Sequence, residues 1–372
     1  MGRYLITGSS GVVGSRCAVE LLHRGHYLIL FLRPRKSQSI EDRWQSIAQF
    51  YKIDKRFDSQ VQLVQWEMSK KDLGLDSQTA QKVFSNIDGV IHAAASVHLN
   101  QTIEQARENS LESTKTLFQL LRRWSSPERV QKIEYVSTVG VSGRSSLPLK
   151  EEPVRSLPEF HNTYEQAKFE TELFVTQSRR EGWTVTIHRP SMVVGDSLTG
   201  AILSFQVFYY ILDYIAGIRS NGWVPDLKEK TLDIIPVDYV ALSIVESLLN
   251  PKSAIEILHL CSGPDQAQSL KQLQTRYRQF LQTHRISISS LKVLSPRLLR
   301  SLYQVGALIP FLPQQKKFRA ALPLLDYLQT EQSFENKKSL QHLEQFHINL
   351  PDPNQYLDPI LSIWMEQQNG RV

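Results

Sequence analysis

The chain has 372 residues, a net charge of +6, 41% hydrophobic residues and 22% charged residues, a composition typical of a globular protein with one or two sizeable cores. Two cysteines, Cys17 and Cys261, are too few for a disulfide framework and predict a reducing compartment. No apolar run reaches the roughly 18 residues that span a bilayer, and the first predicted strand leaves no room for a signal peptide. We therefore expect a cytoplasmic protein. No zinc-ligand spacing or nucleic-acid module is present, so we expect neither a metal nor nucleic acid.

A glycine-rich stretch, Thr7–Gly14, joins the first predicted strand to a predicted helix. Gly8 permits a tight turn, Gly11 lets the backbone approach a pyrophosphate, and Gly14 lets the helix pack closely on the strand. The positive end of the helix dipole then faces the phosphates. The stretch predicts a dinucleotide-binding fold.

A second apolar run, residues 27–32, predicts a buried parallel strand that ends in a basic loop. An acidic residue at this point would bind the ribose 2′-hydroxyl of NAD, whereas arginine favours the 2′-phosphate of NADP. Arg33 and Arg35 stand here, and the first acid is Glu41. We therefore expect NADPH as the cofactor, the alternative being a solvated basic loop.

Three further strands are predicted over residues 61–66, 87–95 and 130–136, with a long helix over 104–124 between the last two. The small residues Ala93–Ala95 would let a cofactor lie against the backbone. His92, inside an apolar strand, is more typical of a core histidine than of a catalytic group. A Ser-, Gly- and Pro-rich loop over 140–158 has the length of a segment that covers a site.

A helix predicted over residues 162–180 carries the candidate catalytic pair. Tyr164 and Lys168 are four residues apart, so they share one helical face. A phenol is a poor acid or base at neutrality, and a neighbouring ammonium is expected to lower its pKa toward the working range. Thr138, directly after the fifth strand, offers a second hydroxyl to the same carbonyl oxygen.

With these residues in place, the chain resembles the extended short-chain dehydrogenase/reductase superfamily through Thr7–Gly14, Thr138, Tyr164 and Lys168. Residues 184–200 and 234–241 look like segments of thioester reductase domains and fatty acyl-CoA reductases. The resemblance covers about residues 3–263 well and the rest loosely.

The resemblance implies roles for individual residues. Thr138 and Tyr164 would polarise a thioester carbonyl, Lys168 would hold the nicotinamide ribose and tune Tyr164, and Asn109 would support the proton path. The residues expected at the cofactor are Thr7, Gly8, Ser10, Gly11, Val12, Val13, Gly14, Arg33, Arg35, Glu67, Ala93, Ala94, Ala95, Tyr164, Lys168, Pro190, Ser191 and Met192.

We expect an α/β fold: a Rossmann-like doubly wound parallel sheet over residues 1–200, followed by a smaller, mostly helical substrate region over 201–372, with 232–262 returning to the first domain. The aromatic segment 201–223 is either core or the wall of an acyl channel. Residues 266–325 contain ten Lys or Arg and no Asp or Glu. This basic window could meet a phosphorylated ligand, an acidic carrier protein or a membrane surface, or be a solvated helical face.

The predicted function is NADPH-dependent reduction of an acyl thioester to an aldehyde, and the sequence leaves open whether reduction continues to an alcohol. The thioester would arrive on coenzyme A or on an acyl carrier protein. The alternative is an extended dehydrogenase or epimerase acting on a free alcohol, ketone or nucleotide sugar. A third hypothesis is a sensor of the NADP redox state without turnover. Nothing in the sequence indicates the oligomeric state.

Overall fold

The computed structural model describes residues 1–35, 37–96, 99, 101–145, 147–252, 255–308, 322, 325, 328 and 331–369. Its centre is a seven-stranded, all-parallel sheet in the order β11–β6–β5–β4–β1–β2–β3. These strands are β1 (Arg3–Thr7), β2 (Tyr27–Leu32), β3 (Val61–Gln65), β4 (Gly89–His92), β5 (Lys132–Val136), β6 (Val185–Pro190) and β11 (Ile257–Leu260). The predicted parallel sheet is confirmed.

Within the part of the chain that the structure describes, three small two-stranded sheets accompany the main sheet. Two are parallel, β10 with β7 and β13 with β8, and one is antiparallel, β12 with β9. Their strands are β7 (Met192–Val194), β8 (Trp223–Pro225), β9 (Thr231–Leu232), β10 (Ile234–Pro236), β12 (Gln268–Ser269) and β13 (Lys292–Leu294).

The helices alternate with the strands over the first half of the chain and dominate the second half. They are α1 (Val12–His23), α2 (Ile40–Phe50), α3 (Ser77–Phe84), α4 (Ile103–Arg107), α5 (Ser113–Trp124), α6 (Thr163–Ser178), α7 (Val207–Ile215), α8 (Val237–Leu249), α9 (Leu270–Thr283), α10 (Pro296–Leu308), α11 (Lys337–Glu344) and α12 (Pro353–Asn369). Short 3₁₀ turns cover Lys55–Gln60, Lys71–Gly74, Val139–Ser142 and Arg179–Glu181. The helix predicted over 104–124 is interrupted, because a π-helical turn, Glu108–Glu112, separates α4 from α5.

Both faces of the main sheet are covered, which makes the fold doubly wound as predicted. On one face, β-strand side chains such as Phe31 and Ile133 pack with Phe84 of α3 and Phe118 of α5. On the other face, α1 and α8 pack together over Ile6, Leu30 and Leu258. The strands at the centre of the sheet are mostly apolar because a parallel sheet with helices on both faces exposes neither side to water.

A third core lies in the C-terminal region. Most of the aromatic segment predicted as core or channel wall is core, since Phe208, Tyr209 and Tyr214 are at most 1% exposed. They pack with Tyr277 of α9 and Trp364 of α12.

Residues 337–350, although late in the chain, pack against the main sheet and not in the third core. Leu343 and Ile348 join the core beneath α1 and α8, and the Glu151 carboxylate accepts hydrogen bonds from the Lys338 and Ser339 amides at the start of α11. The predicted boundary near residue 200 stays a prediction. Within the described ranges, no helix is both long and apolar enough to cross a bilayer.

Candidate functional site

The loop after β1 is built so closely that two of its glycines admit no side chain. Gly8 has φ +69°, and a Cβ there would lie 2.6 Å from the carbonyl carbon of Ala93. A Cβ on Gly14 would lie 2.4 Å from the Gly8 carbonyl oxygen. The loop therefore rests on the end of β4 while α1 presses against the loop, as the sequence predicts.

The first turn of α1 is open to an anion. Its N-cap is Gly11, which supplies no side-chain cap, and the first turn contains no acidic residue. The unpaired amides at the start of the helix, which include those of Val12 and Val13, are the groups that bind a pyrophosphate in this setting. These residues fit a dinucleotide cofactor.

Three guanidinium groups gather beside this loop at the end of β2. Arg43 of α2 donates to the Ser10 hydroxyl at 2.6 Å and to the backbone carbonyl of Arg33. Its pKa is lowered by burial and by the charges of Arg35 and Arg33. Crowded like charges favour a bound multivalent anion, since the anion relieves their repulsion. Arg43 was not among the predicted cofactor residues, although its place in a helix that directly follows the basic loop is a signal for it.

Thr7, at the end of β1, belongs to a buried hydrogen-bonded chain that includes His92. Thr114 of α5 donates to the Ser110 carbonyl at 2.6 Å, so its oxygen accepts from His92 Nε2 at 2.8 Å. His92 Nδ1 then accepts from the Thr7 hydroxyl at 2.6 Å. Burial lowers the pKa of His92 to about 3, so it is a neutral core histidine, as predicted, with one fixed tautomer.

Thr138 and Tyr164 lie together although 26 positions separate them in the sequence. Thr138 follows β5 and its hydroxyl oxygen accepts from the Gly140 amide at 3.1 Å. Asn162 caps α6 by accepting from the Glu165 amide at 3.0 Å, which places Tyr164 in the first turn. The Thr138 hydroxyl is hydrogen-bonded to Tyr164. Two hydroxyls are thus positioned to reach one ligand oxygen.

The pKa of Tyr164 differs from the expectation. Burial raises it to about 12, and the bond from Thr138 offsets only part of that rise. The reason is that Lys168 does not direct its charge at the phenol: its ammonium donates to the Val136 carbonyl at 2.7 Å. Tyr164 is therefore protonated at neutral pH and is suited to donate a proton, not to remove one.

Lys168 is 3% exposed on α6. Burial lowers its pKa to about 7, and the carboxylate of Glu172, one turn further along the helix, opposes that shift. Glu172 is itself held by Arg189 of β6, with Nη2 to Oε2 at 2.7 Å. The ammonium is thus placed at the carboxyl end of β5 in a setting where its protonation changes near neutrality.

Asn109 lies in the π-helical turn, and its Nδ2 donates to the Gln105 carbonyl of the preceding turn at 2.8 Å. In this arrangement the side-chain amide of Asn109 donates to the backbone of its own helix and not to the site. Its part in a proton path stays a prediction.

The remaining candidate residues lie after the carboxyl ends of β3, β4 and β6, which meet at one edge of a parallel sheet. Glu67 follows β3 and is partly exposed, and Ala93–Ala95 follow β4. Pro190 ends β6, Ser191 donates its amide to the Leu260 carbonyl at 3.0 Å, and Met192 begins β7. Their contacts with a cofactor stay predictions.

The two segments that resemble thioester reductases contact each other. The amide and hydroxyl of Ser197 both donate to the Asp238 carboxylate, at 2.8 and 2.5 Å. Tyr209 accepts from the Gly195 amide at 3.0 Å. These motif residues join the main sheet to the third core.

Part of the basic window, including Lys316, Lys317 and Arg319, lies outside the described residues. Among the residues that are described, no group of three or more His, Cys, Asp or Glu side chains could hold a metal ion.

Comparison with known proteins gives matches at the level of family and of fold. A family model described as male sterility protein, an NAD-binding family, matches residues 6–244. L-2-aminoadipate reductase of Schizosaccharomyces pombe is 24% identical over 292 residues, which is 75% of this chain and 20% of that protein. The chain thus spans about a fifth of the length of this relative.

Many solved structures share the fold, among them R-domain or reductase-containing proteins. The terminal R domain from the myxalamid PKS-NRPS biosynthetic pathway superposes with a TM-score of 0.80 at 22% identity, covering 100% of this chain and 91% of that one. A thiolation-reductase di-domain from an archaeal non-ribosomal peptide synthetase has a TM-score of 0.75 at 16% identity, covering 99% and 76%.

Proposed function

The chain belongs to the male sterility protein family of extended short-chain dehydrogenases/reductases, and from this premise we propose that it reduces an acyl thioester to an aldehyde with NADPH. The observation that carries the proposal is the cluster of Thr138, Tyr164 and Lys168, which lies at the same sheet edge as the glycine loop. An edge that combines a phosphate-binding turn with two hydroxyls and an ammonium suits hydride transfer to a carbonyl.

The choice of NADPH over NADH rests on the cluster of Arg33, Arg35 and Arg43. A 2′-phosphate would place two negative charges among three guanidinium groups, whereas a 2′-hydroxyl would leave their repulsion uncompensated. Glu67 lies beyond this cluster, after the neighbouring strand, and is our candidate for the adenine end of the cofactor.

The residues of the chain supply positioning and a proton. NADPH, held by the glycine loop and the arginine cluster, would supply the hydride for the thioester carbonyl carbon. Thr138 and Tyr164 hydrogen-bond the carbonyl oxygen as negative charge develops on it, and Tyr164 donates its proton to give a hemithioacetal. The hemithioacetal then loses its hydroxyl proton as the carbon–sulfur bond breaks, and the departing sulfur takes up a proton, which yields the aldehyde and a free thiol. The raised pKa of Tyr164 suits this direction, since a reduction needs a proton donor.

We propose that the thioester is delivered by a carrier protein or coenzyme A. The support comes from proteins similar to this chain, among them a di-domain that joins a thiolation domain to a reductase. The basic window, 266–325, has the charge that an acidic carrier or a phosphorylated pantetheine arm would require.

The test is a panel of acyl-CoA and carrier-bound thioesters of varied chain length, with free ketones, alcohols and a nucleotide sugar as the competing substrates. NADPH oxidation and thiol release are followed in parallel. We expect one thiol released for each NADPH consumed in the first reduction step. Turnover of a free carbonyl without any thiol release from the thioesters would contradict the proposal, and Thr138→Ala should lower the thioester rate about 10²- to 10³-fold.

A further inference from the structure

The environment of Lys168 contains a residue that neither the sequence analysis nor the proposed reaction uses. Tyr135 of β5 is 1% exposed. Its hydroxyl oxygen lies 3.4 Å from Lys168 Nζ, and its ring centroid lies 4.8 Å from the same nitrogen. The hydroxyl lone pairs and the ring face of Tyr135 therefore both attract the ammonium of Lys168.

The Ala167 carbonyl, at the end of the chain of hydroxyls next to Tyr135, fixes the direction of each hydrogen bond in that chain. The Thr171 hydroxyl donates to the Ala167 carbonyl at 2.6 Å, and a carbonyl can only accept. The Thr171 oxygen therefore accepts from Ser110, whose hydroxyl lies 3.0 Å away. The Tyr135 hydroxyl is hydrogen-bonded to these two side chains. Because their own protons are already donated elsewhere, Tyr135 donates its single proton to one of them. Its oxygen is left to accept from Lys168.

We propose that Tyr135 is a positioning residue for Lys168, which its hydroxyl oxygen and ring face hold in place beside the Val136 carbonyl. Two of the three N–H groups of the ammonium are then directed at acceptors within the described residues, and the third is left for a ligand. The identification of this ligand as the cofactor ribose rests on the proposed function. The contact between Tyr135 and Lys168 is independent of the proposed function.

Among the described residues, three titratable groups face Lys168: Tyr135 from β5, His92 from β4 and Glu172 from its own helix. Of these, Tyr135 can be altered with the smallest change of shape. Tyr135→Phe keeps the ring and removes one acceptor from the ammonium, which disfavours the charged form.

The experiment is a pH titration of the cofactor-free protein, labelled with ¹³C at lysine and followed by NMR. The Lys168 signal is assigned by its absence in Lys168→Met. In the native protein we expect a midpoint near pH 7. Tyr135→Phe should lower that midpoint by about one pH unit. Tyr356→Phe is the matched control, since it removes another buried hydroxyl, bonded to the Ile234 carbonyl at 3.2 Å, and should leave the midpoint unchanged.

A midpoint in Tyr135→Phe equal to that of the native protein would overturn the inference. Thermal unfolding checks that the variant is folded. If it is not, Thr171→Val serves instead: it frees the Ser110 hydroxyl to donate to Tyr135 in competition with Lys168, and should shift the midpoint in the same direction by a smaller amount. No shift there would equally overturn the inference. Because no substrate is present, the titration is independent of whether the protein reduces thioesters.

Discussion

The main sheet and the C-terminal region each bury an ionisable group, and they use it differently. Asp213 of α7 is 1% exposed and accepts from Trp364 Nε1 at 2.8 Å, the Tyr277 hydroxyl at 3.1 Å and Arg219 Nε at 2.9 Å. Lys168 is equally buried, but its acceptors are a backbone carbonyl and one long contact. Burial disfavours the charge in both cases.

This difference separates a structural charge from one that is available to a ligand. Both carboxylate oxygens of Asp213 are occupied by side chains from three other segments, so this residue fastens α7, α9 and α12 together. Lys168 retains bonding capacity at a sheet edge that also contains the glycine loop. If the two centres differ in this way, substitutions at Asp213 should change mainly stability, and substitutions at the sheet edge should change mainly catalysis and cofactor binding.

The largest effect is expected on catalysis at the sheet edge. Tyr164→Phe removes the proton donor and should lower kcat for thioester reduction about 10²- to 10⁴-fold, with little change in melting temperature because the ring remains. Steady-state rates and thermal unfolding of the same preparation measure this. Tyr356→Phe is the control, and equal rate losses in the two variants would remove Tyr164 from the chemistry.

The second effect concerns Asp213. Asp213→Ala leaves the buried donors of Trp364 and Tyr277 without their acceptor and should lower the free energy of unfolding by about 3–5 kcal/mol. Chemical denaturation measures the loss. The NADPH affinity of the folded variant at low temperature should equal that of the native protein, and a large loss of affinity would show that the two regions are not separable.

The third prediction uses pH to distinguish the centres. The folded-state pKa of Lys168 is about 7 against 10.5 for the unfolded chain, so between these values the unfolded chain binds the extra proton and stability rises with pH. This residue should add about 2 kcal/mol to the free energy of unfolding between pH 7 and pH 9. Chemical denaturation of the native protein and of Lys168→Met at both pH values isolates the contribution of Lys168 to the free energy of unfolding. If that free energy depends on pH equally in the two proteins, the prediction is wrong.

The smallest effect is expected at the arginine cluster. Arg43→Ala should weaken NADPH binding about tenfold by removing one charged hydrogen bond and should leave NADH binding unchanged. Equilibrium fluorescence titration with each cofactor measures both constants. Arg56→Ala is the control. Arg56 lies in the turn before the amino end of β3, toward the sheet edge opposite the one that carries the glycine loop. Equal losses for NADPH and NADH would remove Arg43 from a 2′-phosphate site.

Much of the fold and the core of the site could be predicted because their signals are local. The apolar runs of a doubly covered parallel sheet, the glycine spacing and the helical spacing of Tyr164 and Lys168 each lie within a few residues. The π-helical turn was missed because its residues, Glu108–Glu112, include neither glycine nor proline and so give no local signal of an interrupted helix.

Contacts between distant residues could not be predicted in the same way. Glu151 binds the start of α11, and its bond to Ser339 joins positions 188 apart, a pairing that no local pattern encodes. The pKa of Tyr164 was expected in the wrong direction for a related reason. Helical spacing shows that Lys168 is near, but not that its ammonium donates a hydrogen bond to the Val136 carbonyl or how deeply Lys168 and Tyr164 are buried.

The central claim is that this sheet edge delivers a hydride to the carbonyl carbon of a thioester. The most direct measurement uses NADPH carrying deuterium at both C4 positions, an accepted acyl-CoA, and trapping of the aldehyde as an oxime for mass spectrometry. The account predicts one deuterium at the aldehyde carbon and one free thiol for each aldehyde formed. An aldehyde without deuterium, or deuterium found only in the product of a free ketone or sugar, would contradict it.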